Sequence, residues 1–137
     1  MLTLYILCGA PASGKTTLSK KMAEQEDLIR ISYDEMRCRN QRELIKYMVQ
    51  ALKENKSTII DSVNNCAKNR EMLLDAVKDI PCKKILIVMQ TTLEECIRRN
   101  RLREYPMSDG CISVLYNSIQ NHQPTLDEGW DEILYCK

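Results

Sequence analysis

Leu2 to Cys8 reads as one continuous apolar run of strand length, and it ends without a spacer on Gly9-Ala10-Pro11-Ala12-Ser13-Gly14-Lys15-Thr16. A strand apolar at successive positions has no solvent face, so it belongs inside a parallel sheet covered on both sides. The glycine turn must carry the chain from that strand into a helix, and Lys15 to Gln25 supplies one, with Leu18 and Met22 four residues apart. A chain built on this junction is committed to a layered α/β fold.

The remaining pattern agrees. Leu28 to Ser32 reads as a second strand, and Gln41 to Lys53 carries Leu44, Ile45, Met48, Val49 and Leu52 on one helical face. Ser57 to Asp61 predicts a strand, Asn69 to Lys78 a helix and Lys84 to Met89 another fully apolar strand. Leu93 to Arg103 and Ile112 to Ile119 complete the helices, and Trp130 to Cys136 is a weaker final strand. Alternation with short connections favours right-handed crossovers and a three-layer fold, with a central, mainly parallel sheet and helices on both faces. At 137 residues, without an internal repeat or linker, residues 1–137 read as one domain.

Charge and cysteine content narrow the setting. Twenty Lys and Arg against 19 acids leave a formal net charge of +1, so a basic site must be local. No stretch is long enough to span a bilayer, and the leading residues lack the basic region of a secretory signal. The seven cysteines (8, 38, 66, 82, 96, 111 and 136) are evenly spread without a Cys-x-x-Cys pair, so reduced thiols in a cytoplasmic protein are the expectation.

A turn rich in backbone N–H donors, opening a helix, suits clustered negative charge such as a triphosphate. Gly9 and Gly14 give the turn its freedom, Lys15 is placed to reach β and γ phosphates, and the Thr16 hydroxyl is a ligand for Mg²⁺. An ordinary glycine turn would explain the glycines but not the adjoining Lys15-Thr16. Thr17 reads as a first-turn helix residue with a weaker phosphate role. Asp61 ends a strand where α/β sheets gather ligands, and is a candidate for the metal shell or, alternatively, a turn-starting acid.

Transfer of a phosphoryl group to an alcohol needs a carboxylate that orients and deprotonates the hydroxyl. Asp34, in Ser32-Tyr33-Asp34-Glu35-Met36-Arg37, follows the second strand and suits that role, although Asp is equally suited to cap a helix and Arg37 to be a surface residue. Arg98, Arg99, Arg101 and Arg103 cluster late in a helix, with Arg99 and Arg103 on one face. They suit a mobile cover over phosphates at about residues 98–110, or a solvated helix terminus favoured by the macrodipole.

Taken together, the Gly9 to Thr17 loop, the Tyr33 to Arg37 segment, Ile59-Ile60-Asp61-Ser62-Val63-Asn64 and Arg99-Asn100-Arg101-Leu102-Arg103-Glu104 resemble the kinase domain of 5′-polynucleotide kinases. Gln123-Pro124-Thr125-Leu126-Asp127-Glu128-Gly129 is similar to the animal enzymes in particular. The resemblance spans nearly the whole chain and implies a P-loop kinase fold that uses ATP and Mg²⁺ on a nucleic-acid 5′-hydroxyl end. It implies that Asp34 is the general base, that Arg37 contacts the acceptor phosphate with Asn64 on the same side, and that Arg99, Arg103 and Arg101 grip donor phosphates. Ser62-Val63 departs from the polar pair usual before the asparagine. The sequence stops where the kinase lobe of such enzymes stops and has no Asp-x-Asp-Gly-Thr motif, so 3′-phosphatase activity is not expected. His122, the single histidine, reads as a surface loop residue, and Trp130 as a core aromatic.

Overall fold

Apolar runs with no polar face form the middle of the sheet. The computed structural model describes residues 2–137. Its elements are β1 (Thr3–Cys8), α1 (Lys15–Glu26), β2 (Ile29–Ser32), α2 (Gln41–Lys53), β3 (Thr58–Asp61), α3 (Ala67–Ala76), β4 (Lys83–Met89), α4 (Leu93–Arg101), α5 (Asp109–Asn121), a 3₁₀ turn (Leu126–Glu128) and β5 (Glu132–Cys136). The strands form one five-stranded sheet in the order β2-β3-β1-β4-β5, and every pairing is parallel. The central β1 lies between β3 and β4, with Tyr5 opposite both Ile59 and Ile85.

Strand order explains which helix covers which face. Only the β1 to β2 connection runs toward the β2 edge; the later connections run toward β5. Right-handed crossovers in opposite directions put their helices on opposite faces. Accordingly α1 packs Leu18, Met22 and Ala23 over Leu7, Ile59, Ile85 and Ile87. On the other face Leu4, Ile6, Ile31, Ile60 and Leu86 meet residues of α2, α3, α4 and α5, including Leu44, Leu73, Cys96 and Ile112. Both faces of β1 are thereby buried, as the apolar run requires.

The observed ends refine the expected ones for local reasons. Helix α4 stops at Arg101, leaving Arg103 outside it, because Leu102 N and Arg103 N bond the Arg99 and Asn100 carbonyls in tighter i to i+3 turns. Helix α5 starts earlier than its apolar pattern because Ser108 Oγ accepts from Cys111 N at 3.1 Å, an N-cap. Trp130 is buried, but β5 begins two residues after it.

One charged side chain is set inside this apolar frame. Arg70 is fully buried, on the face of α3 that also buries Leu73 and Leu74. Its Nε and Nη2 donate to Glu128 Oε1 and Oε2 at 3.0 Å each. Nη1 donates to the Asn64 carbonyl (3.0 Å) and Nη2 also to the His122 carbonyl (2.7 Å). Trp130 Nε1 donates to the same Glu128 oxygen, Oε1, at 2.9 Å. Removing one partner of such a buried pair strands the other, so Arg70→Met is expected to cost about 3–5 kcal/mol, read from urea denaturation midpoints.

Candidate active site

Parallel strands all end on one edge, and the loops after β1, β2, β3 and β4 meet there. The first is the Gly9 to Thr16 turn. Gly9 is required by space: a Cβ there would lie 2.7 Å from both Met89 Cγ and Ser13 Oγ. Gly14 is required by conformation, with φ 101°, and it caps α1 without a side-chain bond. No acid occupies the first turn of α1, so its free N–H groups and dipole face the cleft uncompensated. Thr91 Oγ1 donates to the Ser13 carbonyl at 2.6 Å and ties the turn to the segment after β4.

Lys15 is buried, and its ammonium donates to the Gly9 and Ala10 carbonyls at 2.8 and 3.0 Å. Burial lowers its pKa, while the Asp61 and Asp34 carboxylates act to raise it. The lysine therefore sits close enough to both acids to sense their charge. Burial also pushes the Cys8 thiol, just before the turn, up to about 11.

Pro11, Ala12, Ser13, Gly14, Lys15, Thr16 and Thr17 line a cleft of ≈ 1030 Å³, with Gly9 and Ala10 buried beneath. Single-ligand sites span about 300–1,000 Å³, so this cleft lies at the upper end of that range. Asp34, Asp61, Asn64, Arg99 and Arg103 line the same cleft. Arg99 reaches over the turn, with Nη1 3.4 Å from where a Gly14 Cβ would stand, and also pairs with Glu95 at 3.0 Å. Arg103 forms no ion pair with any described residue, yet it is near enough to Lys15 to lower that group's pKa.

Two residues expected near phosphates lie elsewhere. Arg101 points away and bonds Asp109 at 2.5 Å, and Arg37 sits on an exposed turn with φ 53°. Neither lines the cleft. Asn64, also at positive φ (50°), commits its amide to the Leu7 carbonyl (2.6 Å) and Ser62 Oγ (2.8 Å). Its place in the lining is thus that of a wall held rigid.

Asp34 caps no helix. Residues 33–37 form hydrogen-bonded turns, in which Ser32 Oγ accepts from Glu35 N at 3.3 Å, and α2 starts later with Asn40 as its cap. The exposed Asp34 carboxylate is left facing the cleft. Beyond it the wall is rich in amides: Gln41 Nε2 bonds the Asn69 carbonyl (3.2 Å) and Asn65 Nδ2 bonds Ser118 Oγ (3.0 Å).

Asp61 is buried, and Arg30 Nη2 (2.7 Å) and Ser19 Oγ (3.1 Å) both meet its Oδ2. Oδ1 takes no hydrogen bond from a described residue. Asp61 and Thr16 thus offer oxygen donors to one cleft, a set that suits Mg²⁺, which fills its other positions with waters and phosphate oxygens. Among the described residues no cluster of three or more His, Cys, Asp or Glu could hold an ion unaided.

Arg30 and Asn100 were not legible as site residues by motif. Arg30 carried one signal, a charge between Ile29 and Ile31 on a strand. Asn100, fully buried, donates to the Met107 carbonyl (2.7 Å) and accepts from Met107 N (3.0 Å), closing the loop that carries Arg103.

The comparisons with known proteins agree with this geometry. A family model described as an AAA domain matches residues 4–124. The bifunctional polynucleotide phosphatase/kinase of Schizosaccharomyces pombe is 27% identical over 134 residues, covering 95% of this chain and 32% of that protein. The chain therefore spans about a third of that relative's length. In structure it is similar to a chain of the Pnkp1/Rnl/Hen1 RNA repair complex (TM-score 0.77, 21% identity, covering 88% of this chain and 44% of that one). It is also similar to Kti12 of Chaetomium thermophilum in complex with ADP-AlF3 (TM-score 0.75, 17% identity, 96% and 87% covered). With its parallel sheet and phosphate-binding turn, the chain belongs to this AAA-domain family, as a P-loop kinase domain.

Proposed function

We propose that the chain transfers the γ-phosphate of ATP to the 5′-hydroxyl of a polynucleotide. The observation that carries the reading is Asp34, a carboxylate with no helix to cap, facing the same cleft as the phosphate turn. The amino-acid similarity to a polynucleotide phosphatase/kinase supports the choice of acceptor.

In this reading the N–H groups from Gly9 to Thr17 and the α1 dipole hold the donor phosphates, and Lys15 exchanges its two carbonyl partners for β and γ oxygens. Thr16 and Asp61 would hold Mg²⁺, which would supply neutralising charge at the phosphates. Asp34 orients the acceptor hydroxyl and takes its proton as the acceptor oxygen bonds the γ-phosphorus and the bond from that phosphorus to the bridging oxygen breaks, so that ADP leaves. Arg99 and Arg103 close over the phosphates, where charge spreads in the transition state. Arg37, on its exposed turn outside the cleft lining, engages a phosphate of the incoming strand, and Asn64 backs the cleft wall. Arg101, fastened to Asp109, serves the lid rather than the phosphates.

Asp34→Asn is expected to lower transfer by about 10²–10⁴-fold while ATP affinity stays within about twofold of wild type. Radiolabel transfer to 5′-hydroxyl RNA and DNA oligonucleotides, set beside a panel of sugars and nucleosides, reads both the base and the acceptor. Label on a metabolite and on no oligonucleotide would replace the polynucleotide with a small-molecule acceptor.

A second test separates the arginines. Arg103→Ala is expected to reduce kcat about 10³-fold with an unchanged melting temperature, because its side chain is exposed and holds no ion pair among the described residues. Arg101→Ala should leave kcat within about threefold, since a surface pair contributes little. Steady-state kinetics of the two variants side by side gives the comparison.

A further inference from the structure

The Arg30 guanidinium has three hydrogen-bonding edges, and each is used on a different element. Nε donates to Ser19 Oγ of α1 at 2.7 Å, Nη2 to Asp61 Oδ2 at the end of β3 at 2.7 Å, and Nη1 to Glu35, next to Asp34. Ser19 Oγ in turn lies 3.2 Å from the Thr16 carbonyl and 3.1 Å from Asp61 Oδ2. The Arg30 side chain is 13% exposed and that of Asp61 6%, so this pair is shielded, whereas Glu35 is 51% exposed. Lys20 reaches Glu35 as well, at 3.6 Å.

We propose that Arg30 is a positioning residue that couples the metal carboxylate Asp61 to the turn bearing Asp34. Resting on the kinase reading above, it assigns Arg30 a task that no phosphate-binding or acceptor-binding residue performs. By engaging Oδ2, Arg30 and Ser19 fix the rotamer of Asp61 and leave Oδ1 for the metal. By engaging Glu35, the same planar group sets the turn that points Asp34 at the acceptor. A planar fork transmits orientation between its edges, which a lysine's point charge does not. The donor and acceptor halves of the cleft are therefore registered to each other through one side chain.

The arms can be cut separately. Glu35→Ala, at an exposed position, releases only the acceptor arm. It should raise the KM for a 5′-hydroxyl oligonucleotide about tenfold while the Mg²⁺-dependent gain in ADP affinity, measured by calorimetry without turnover, stays at the wild-type value. Arg30→Lys keeps the charge that Asp61 needs but loses the fork. It should weaken the Mg²⁺-dependent gain about 10- to 100-fold and raise the acceptor KM as well, and adding Glu35→Ala to it should raise KM no further. Circular dichroism melts of each variant exclude loss of fold, and Ser19→Ala, which leaves both ion pairs intact, is the milder companion should Arg30→Lys unfold; it should weaken the Mg²⁺-dependent gain alone. If wild type responds to Mg²⁺ while these variants match it, or if Arg30→Lys weakens the Mg²⁺ response and leaves the acceptor KM unchanged, the coupling is overturned and the kinase reading stands. If wild-type ADP affinity ignores Mg²⁺, the metal assignment fails and this proposal fails with it.

Discussion

A guanidinium without water must find acceptors on every side, and Arg70 finds them on two stretches of chain, Asn64 just before α3 and His122 to Glu128 more than fifty residues later. Its bonds reach Glu128, the His122 carbonyl and the Asn64 carbonyl, and Glu128 in turn holds Trp130. Asn64 then bonds the Leu7 carbonyl, and Gly9 N bonds the Val63 carbonyl at 3.1 Å, so the chain of contacts arrives at the start of the phosphate turn. Desolvating a charge is costly unless each partner is in place, so this cluster forms as a unit or not at all. The end of β1, the turn after β3 and the approach to β5 are fixed by the same event.

Strand direction contributes the other half of the geometry. With every strand parallel, all the C-terminal ends lie on one edge, and a residue one or two positions beyond a strand end faces the cleft without further design. Asp34 follows β2, Asp61 ends β3 and Gly9 follows β1. The acids reach Lys15 from two neighbouring strand ends, which is why both influence an ammonium that is itself buried.

What the sequence disclosed follows from how local each signal is. The apolar strands and the α2 stripe were legible because burial on both faces, or on one helical face, writes itself into adjacent residues. The phosphate turn was legible because its constraints lie within eight residues. The end of α4 was not, since Asn100 captures Met107 across a loop whose closure no periodicity reveals. Arg70 and Arg30 were missed for the same reason on a longer scale: their partners lie 58 and 31 residues away in sequence. Whether Asp34 caps a helix turned on where the next helix begins, and Asn40 takes that place by accepting from Glu43 N.

The Asn100 clasp also sets the cost of opening one loop by itself. Opening the loop that carries Arg103 breaks two hydrogen bonds to one amide, each worth about 0.5–1.5 kcal/mol net, while α4 and α5 keep their packing. That cost is small beside global unfolding, so local opening of residues 102–108 need not disturb the rest of the fold. The loop that carries Arg103 is thus fastened at its base by one amide, while Leu102 and Tyr105 within it stay exposed and add no apolar seam.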